Sequence, residues 1–367
     1  MFKEWIKRAF GRQYRPLNKV EISASTLLDN YKVLSSIGQK IHIAPVFKSN
    51  AYGHGLVETA RILDSRGAPF FCVDSLYEGY KLHRAGIKTK ILVMGYVDVK
   101  NLSFKKLPFS FAAYNISHFL NLVKYQPHSG IHIFVDTGMG REGIPIWDLK
   151  IFLKKIPDRY IKNLEGLMSH FAASDKFNDL RTKSQVVAFK NAIKTLNEKN
   201  IFPKFVHIAN SSGLLNNRKL GIDGITNVAR CGIALYGIDP EEKNSKLKRA
   251  LRLISKIVQV KTIKKGSTVG YDFTYVAKKN IKAAVLPIGY NDGVDRELSN
   301  RGEVIVRGKA CRIIGRVSMN ITTIDVTGVK NVRIGDEGII KFITPSKTKI
   351  PYEFLVNLNP EIKRVVI

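Results

Sequence analysis

The chain has 367 residues, 44% of them hydrophobic, which is the balance of an ordinary globular protein with room for one large domain and a smaller one. Sixty lysines and arginines against 30 acidic residues give a formal charge of +30, but they are scattered along the chain without any DNA- or RNA-binding module, so no nucleic-acid partner is expected. Cys72, Cys231 and Cys311 are too few and too far apart for a disulfide framework or a CxxC metal site, which points to a reducing cytoplasm and no bound metal.

The first stretch, MFKEWIKRAFGRQYRPLNK, lacks the continuous apolar core of a secretion signal. It spaces Phe2, Trp5, Ile6 and Phe10 near a helical period, with Lys3, Lys7, Arg8 and Arg12 between them. That is the pattern of a basic amphipathic extension over residues 1–19, packed on its own protein or in weak contact with an anionic membrane. No later run has the length of a membrane-spanning helix.

From Ile41 onward, short apolar runs alternate with longer mixed stretches. The predicted strands are HIAPVFK, PFFCVD, TKILVMG, FSFAAYN, GIHIFVDTG, LEGLMSHFA, KFVHIAN and TNVARCGIALYG, with helical segments such as Leu56 to Arg66, Ser75 to Ala85 and Asp179 to Asn200 between them. Eight such units predict an α/β barrel of the TIM-like (β/α)8 kind over residues 20–240. After Asp239-Pro240-Glu241-Glu242 the texture changes to β-branched runs broken by glycine, including LRLISKIVQVKTI, GEVIVRGKACRIIGRV and GDEGIIKFI. These predict a C-terminal all-β domain over residues 241–367.

A parallel barrel carries its site at the C-terminal ends of its strands. Lys48 ends the first predicted strand, Arg141 follows the fifth, His170 ends the sixth, Asn210 and Ser211 end the seventh, and Arg230 and Gly232 lie in the eighth. A lysine at a strand end is ordinarily a solvated cation. Beside other cations and partly desolvated, its amine loses the proton and becomes nucleophilic. The natural partner of such an amine is an aldehyde, which makes pyridoxal 5'-phosphate, held on Lys48 as a Schiff base, the candidate cofactor. Its phosphate needs small residues and backbone amides. Ser211, Ser212 and Gly213 open a helix-like segment, Ser211 being also a possible N-cap. Gly232 and Ile233 supply backbone, and Tyr52 lies four residues after Lys48.

Taken in order, VFKSNAYGHG, DTGMGR, SHFAASD, HIANSSG, ARCGIALYG, VGYDFTY, LPIGYNDG and GRVSMN resemble the motifs of bacterial alanine racemases, over nearly the whole chain from about Val20. The resemblance implies a pyridoxal-phosphate-dependent isomerase that interconverts L- and D-alanine and supplies D-alanine for peptidoglycan. It implies a head-to-tail homodimer with shared active sites. Lys48 then carries the cofactor and handles the proton on one face of the substrate Cα, and Tyr271 of the partner subunit serves the opposite face. Arg230 lies at the pyridine nitrogen with His170 supporting it, Arg141 and the backbone near Met319 meet the substrate carboxylate, and Tyr290 lines the entrance. A guanidinium keeps its proton and leaves the ring nitrogen largely unprotonated, which favours reprotonation at Cα over transamination or decarboxylation.

Three positions depart from that pattern. Phe134 stands where many members carry a lysine modified to a carbamate that orients the motif arginine. Asn320 replaces an aspartate near the entrance, and Lys363 precedes Arg364 where many members have a tyrosine touching the phosphate. These changes bear on substrate breadth, so a serine or broad-specificity racemase is the alternative. A non-catalytic pyridoxal-phosphate carrier would not need a second domain with Tyr271.

Overall fold

A computed structural model describes residues 15–38, 40–239, 246–341 and 352–367. Most of the expected N-terminal helix and the 240–242 boundary lie outside the described residues. The chain divides into two compact units, one of Ser23–Ala250 and one of Leu251–Ile367 together with the segment up to Ile22. The strand β1 (Asn18–Ile22) thus belongs to the second unit.

The first unit is built on β2 (His42–Pro45), β3 (Phe71–Val73), β4 (Ile91–Val93), β5 (Ser110–Ala113), β6 (Ile131–Asp136), β8 (Leu164–Met168), β9 (Phe205–His207) and β10 (Val228–Cys231), with a two-residue strand β7 (Ile144–Pro145) beside β6. The pairs from β3 through β9, and the pair β10–β2, are all parallel. A bridge between Val46 and Cys72 joins β2 to β3. The Asn227 N–H donates to the Val206 carbonyl and the Arg230 N–H to the Ala209 carbonyl, both at 2.9 Å, which joins β9 to β10. The eight long strands therefore close into an α/β barrel. Most of their residues are buried, as expected where helices cover the outside of a parallel sheet.

The helices follow from their punctuation. Ser75 and Glu78 form a capping box that starts Leu76–Arg84, and the Asp179 carboxylate accepts from the Arg181 N–H to start Leu180–Asn197. The latter buries Val186, Phe189, Ala192 and Leu196 at helical spacing. Phe119 and Phe189 are fully buried, each contributing roughly 1.5–3 kcal/mol of apolar transfer.

The second unit contains a six-stranded sheet and a three-stranded one. Its strands are β1, β11 (Leu251–Lys256), β12 (Gln259–Ile263), β13 (Ile281–Leu286), β14 (Glu303–Val306), β15 (Lys309–Arg312), β16 (Thr322–Asp325), β17 (Glu337–Ile340) and β18 (Lys363–Val366). The larger sheet runs β15-β14-β17-β11-β1-β18 and the smaller β12-β13-β16. β1 pairs antiparallel with β11, Asn18 opposite Ser255, and parallel with β18. Residues 20–22, expected in the barrel, therefore serve the β unit: Val20 and Ile22 are fully buried there, as is Leu253, the cross-strand partner of Val20. The apolar run LRLISKIVQVKTI is one stretch in sequence but two strands in space, because Ile257 and Val258 turn away to pair with Asp336 and Val285.

Candidate active site

Lys48 lies three residues after β2, beyond Val46 and Phe47, and is half-buried. The four residues after it, Ser49, Asn50, Ala51 and Tyr52, all have φ between 51° and 54°. None is glycine. Left-handed backbone costs an L-residue roughly 1–2 kcal/mol and ordinarily occurs singly, so this turn must be held from outside. Glu78 does much of that: one carboxylate oxygen accepts from the Ser49 N–H at 2.8 Å, and the other accepts from Asp74 and Ser75 at 2.9 and 3.2 Å. The Ala51 N–H donates to the Phe47 carbonyl at 2.7 Å, and the Asn50 side chain accepts from the Leu56 N–H at 2.9 Å. Gly53 at φ 81° and Gly55 at φ 94° then release the chain into the helix Leu56–Leu63. The motif KSNAYGHG is thus a strained pedestal for one lysine.

Arg230, in β10, is only 4% exposed. Its Nη1 donates to His207 Nδ1 at 2.6 Å and to the His207 carbonyl at 2.9 Å, and its Nη2 donates to the Ser169 carbonyl and to His170 Nδ1, the latter at 3.1 Å. Every one of these acceptors is neutral, and burial lowers the guanidinium to about 10. Burial and then the positive charges of Arg230, Arg141 and Lys48 push His170 down to about 3. These four side chains therefore share one electrostatic field at the end of the barrel that follows the strands. His207 was not among the residues singled out from sequence, although KFVHIAN contains it.

Around this centre the structure gathers Tyr52, Asn210, Ser211, Gly232 and Ile233. The Tyr52 hydroxyl approaches Gly232 so closely that a Cβ there would lie 2.6 Å from it. Only glycine leaves that space. Asn210, not Ser211, caps the short helix Ser211–Leu215, accepting from the Gly213 N–H at 2.8 Å. The Ser211 hydroxyl instead accepts from the Ala234 N–H at 3.3 Å. Ile233 opens a 3-10 turn, Ile233–Tyr236. The Ser211 hydroxyl thus links the starts of two helical turns, and the Tyr52 hydroxyl rests on Gly232, at the start of the second of them.

Arg141 is held by Glu142, Nε to Oε2 at 2.6 Å and Nη2 to Oε1 at 2.8 Å. Phe134 is buried against Ala112, Met168 and Tyr114, its ring 5.5 Å from the tyrosine ring. Sequence reasoning did not single out Glu142; the signal was the adjacent acidic residue in DTGMGRE.

Tyr271, Tyr290 and Met319 are on the second unit, 68%, 44% and 56% exposed. The Tyr290 N–H donates to the Ser318 carbonyl and the Asn291 N–H to the Met319 carbonyl, both at 3.0 Å, so two of them share one loop pair. Arg316, three residues before Met319, bonds Asp272, beside Tyr271, at 2.7 Å. All three therefore lie on one exposed face of the β unit, with Phe273 and Ile321 also exposed. Asn320 is exposed, and Lys363 is exposed in β18. Among the described residues no helix is long and apolar enough to cross a membrane.

The alanine racemase N-terminal domain profile matches residues 22–240 and the alanine racemase C-terminal domain profile residues 250–366. The chain is 32% identical over 376 residues to alanine racemase 2 of Caldanaerobacter subterraneus subsp. tengcongensis, covering 97% of this chain and 96% of that one. Among solved structures it is similar to the alanine racemase of D-cycloserine-producing Streptomyces lavendulae, at a TM-score of 0.86 and 25% identity over 97% of this chain and 98% of that one. It is also similar to the alanine racemase of Bartonella henselae with covalently bound pyridoxal phosphate, at a TM-score of 0.81 and 25% identity over 96% and 100%. The chain belongs to the alanine racemase family, isomerases that act on amino acids.

Proposed function

We propose that the chain racemises alanine with pyridoxal 5'-phosphate as cofactor, by a two-base route that uses Lys48 and, from a partner subunit of a homodimer, Tyr271. The observation that carries this reading is the left-handed turn Ser49–Tyr52, which holds Lys48 within electrostatic reach of His170 together with Arg141 and Arg230. The residues fit a phosphate, because the missing Cβ of Gly232 lets the Tyr52 hydroxyl pack against the start of one helical turn while the Ser211 hydroxyl links that turn to a second, which brings hydroxyl and backbone donors together. When bound, the cofactor supplies an aldehyde that takes up an amine and a ring that accepts electrons from the substrate Cα.

The residues then divide the work. Lys48 holds the cofactor through its amine and moves a proton at one face of Cα. Ser211, Tyr52 and the Ile233 N–H bind the phosphate, with Asn210 fixing the turn. Arg230, with both Nη atoms committed to neutral acceptors, would offer the cofactor's ring nitrogen a donor that keeps its proton, a setting that favours reprotonation at Cα. Arg141 binds the substrate carboxylate through the guanidinium edge that Glu142 leaves open. Tyr271 moves the proton at the opposite face, with Tyr290 and the Met319 backbone beside it. A proton acceptor on one face and a proton donor on the other, exchanging roles with the direction of reaction, are what inversion needs. Supply of D-alanine to peptidoglycan in the cytoplasm is the role that fits such a reaction.

The test is Tyr271→Phe. It is expected to retain the absorbance of the bound cofactor and to exchange the Cα proton of one alanine enantiomer only, without racemisation. Mixed with Lys48→Ala in confirmed hybrid dimers, it should regain part of the activity. Unchanged racemisation removes Tyr271 from the mechanism, and inactive hybrids remove the shared site.

A further inference from the structure

The bonds to Arg230 fix more than its own position. A guanidinium only donates, so His207 Nδ1, 2.6 Å from Arg230 Nη1, is an acceptor and the single proton of that imidazole sits on Nε2. His207 Nε2 lies 2.8 Å from His132 Nδ1. His132 Nδ1 is then also an acceptor, and the His132 proton sits on Nε2, which faces Glu165 Oε2 at 3.6 Å. Both rings are fully buried. Glu165 further accepts from Ser110 Oγ at 2.7 Å and Lys90 Nζ at 2.8 Å. A file of hydrogen bonds therefore runs through the barrel interior from Arg230 in β10 through His207 in β9 to His132 in β6. The His132 Nε2–H makes no hydrogen bond but faces the Glu165 carboxylate, at the N-terminal end of β8, across a 3.6 Å electrostatic contact.

The barrel makes room for it. A Cβ on Gly166 would overlap the His132 ring, and a Cβ on Gly130 would overlap the Glu165 carboxylate. Phe70 and Phe205 close around His132 at ring distances of 5.3 and 5.8 Å. Among the described residues Arg230 has no ion-pair partner within 4.0 Å. Its nearest anion along this file is Glu165, two imidazoles away.

We propose that His132 and Glu165 are positioning residues: through His207 they hold Arg230 in one orientation with a neutral acceptor, not a carboxylate, against its guanidinium. A carboxylate in contact would neutralise the charge and offer a proton acceptor next to the pyridine site. Two neutral imidazoles anchor the same guanidinium and keep the anion at the far end of the barrel, where Lys90 balances it. The catalytic consequence rests on the proposed role of Arg230; the proton placement does not.

The test uses the cofactor-loaded enzyme with 15N-labelled histidine. Two-bond proton–nitrogen correlations between pH 6 and 9 should show His132 and His207 each protonated on Nε2 only, at every pH. A proton on Nδ1 of either ring, or titration in this range, overturns the file. His132→Phe is expected to lower kcat about 10- to 100-fold with KM within twofold, the size of a small misplacement of a site group, and to shift the His207 signals. His132→Gln, which keeps an acceptor, should recover most of both. If His132→Phe changes neither kcat nor the His207 signals, the positioning role is overturned. The wild-type spectra stand even if that variant does not fold. Should the proton pattern hold while Lys48 carries no cofactor, it is the proposed function that fails and not the file.

Discussion

The Arg141 guanidinium meets the Glu142 carboxylate along its Nε–Nη2 edge, at 2.6 and 2.8 Å, and Nη1 remains for a second anion. Neighbouring residues in the chain thus supply an orienting carboxylate where Phe134 offers none. Glu142→Gln keeps the shape and removes the charge. We expect KM for alanine to rise about 3- to 10-fold with kcat within twofold, read from steady-state kinetics. Because the two side chains are 51% and 37% exposed, unfolding free energy should change by less than about 0.5 kcal/mol.

Ser49 is exposed and left-handed, with its N–H given to Glu78. Ser49→Gly removes the Cβ clash and keeps that bond. The variant should be more stable by up to about 1 kcal/mol with racemisation retained, whereas Ser49→Val should lose about 1–2 kcal/mol. Urea midpoints at equal slope measure both.

Arg230→Lys keeps one positive charge but cannot span the His207, Ser169 and His170 acceptors that the guanidinium joins. The orphaned buried acceptors should cost about 2–4 kcal/mol of stability, and kcat/KM should fall at least about 100-fold. Denaturation and kinetics on the same preparation test the two effects together.

Acid should destabilise the protein early. Burial holds His118 down to about 4 and also depresses His132 and His207. Below the unfolded value near 6.5 the unfolded chain binds protons that the folded chain refuses, so stability falls as pH drops and levels off only below the folded values. His118 alone removes about 1.5 kcal/mol between pH 6.5 and 5. A denaturant midpoint unchanged over that interval contradicts buried neutral histidines.

Much of this architecture is legible in the sequence, and what is hidden has a physical reason. Barrel strands buried on both faces read as short apolar runs, and Lys48 stands out because it ends one. Nothing in SNAY announces left-handed backbone, since the turn is imposed by Glu78, which lies 29 residues from Ser49. β1 reads as the start of the barrel because it is adjacent in sequence, yet its partner β11 lies more than 200 residues away. His207 and His132 look like ordinary core residues. Their meaning comes only from the 2.6 and 2.8 Å contacts that line them up behind Arg230.

The central claim is that Lys48 carries pyridoxal phosphate in an enzyme that racemises alanine. The most direct measurement treats one purified sample with borohydride and maps the labelled peptide, while an untreated aliquot is incubated with L-alanine and analysed for D-alanine. The account predicts a pyridoxyl group on the peptide containing Lys48, D-alanine in the untreated aliquot, and none after reduction. A label on a different lysine, or D-alanine formation that survives reduction, contradicts it.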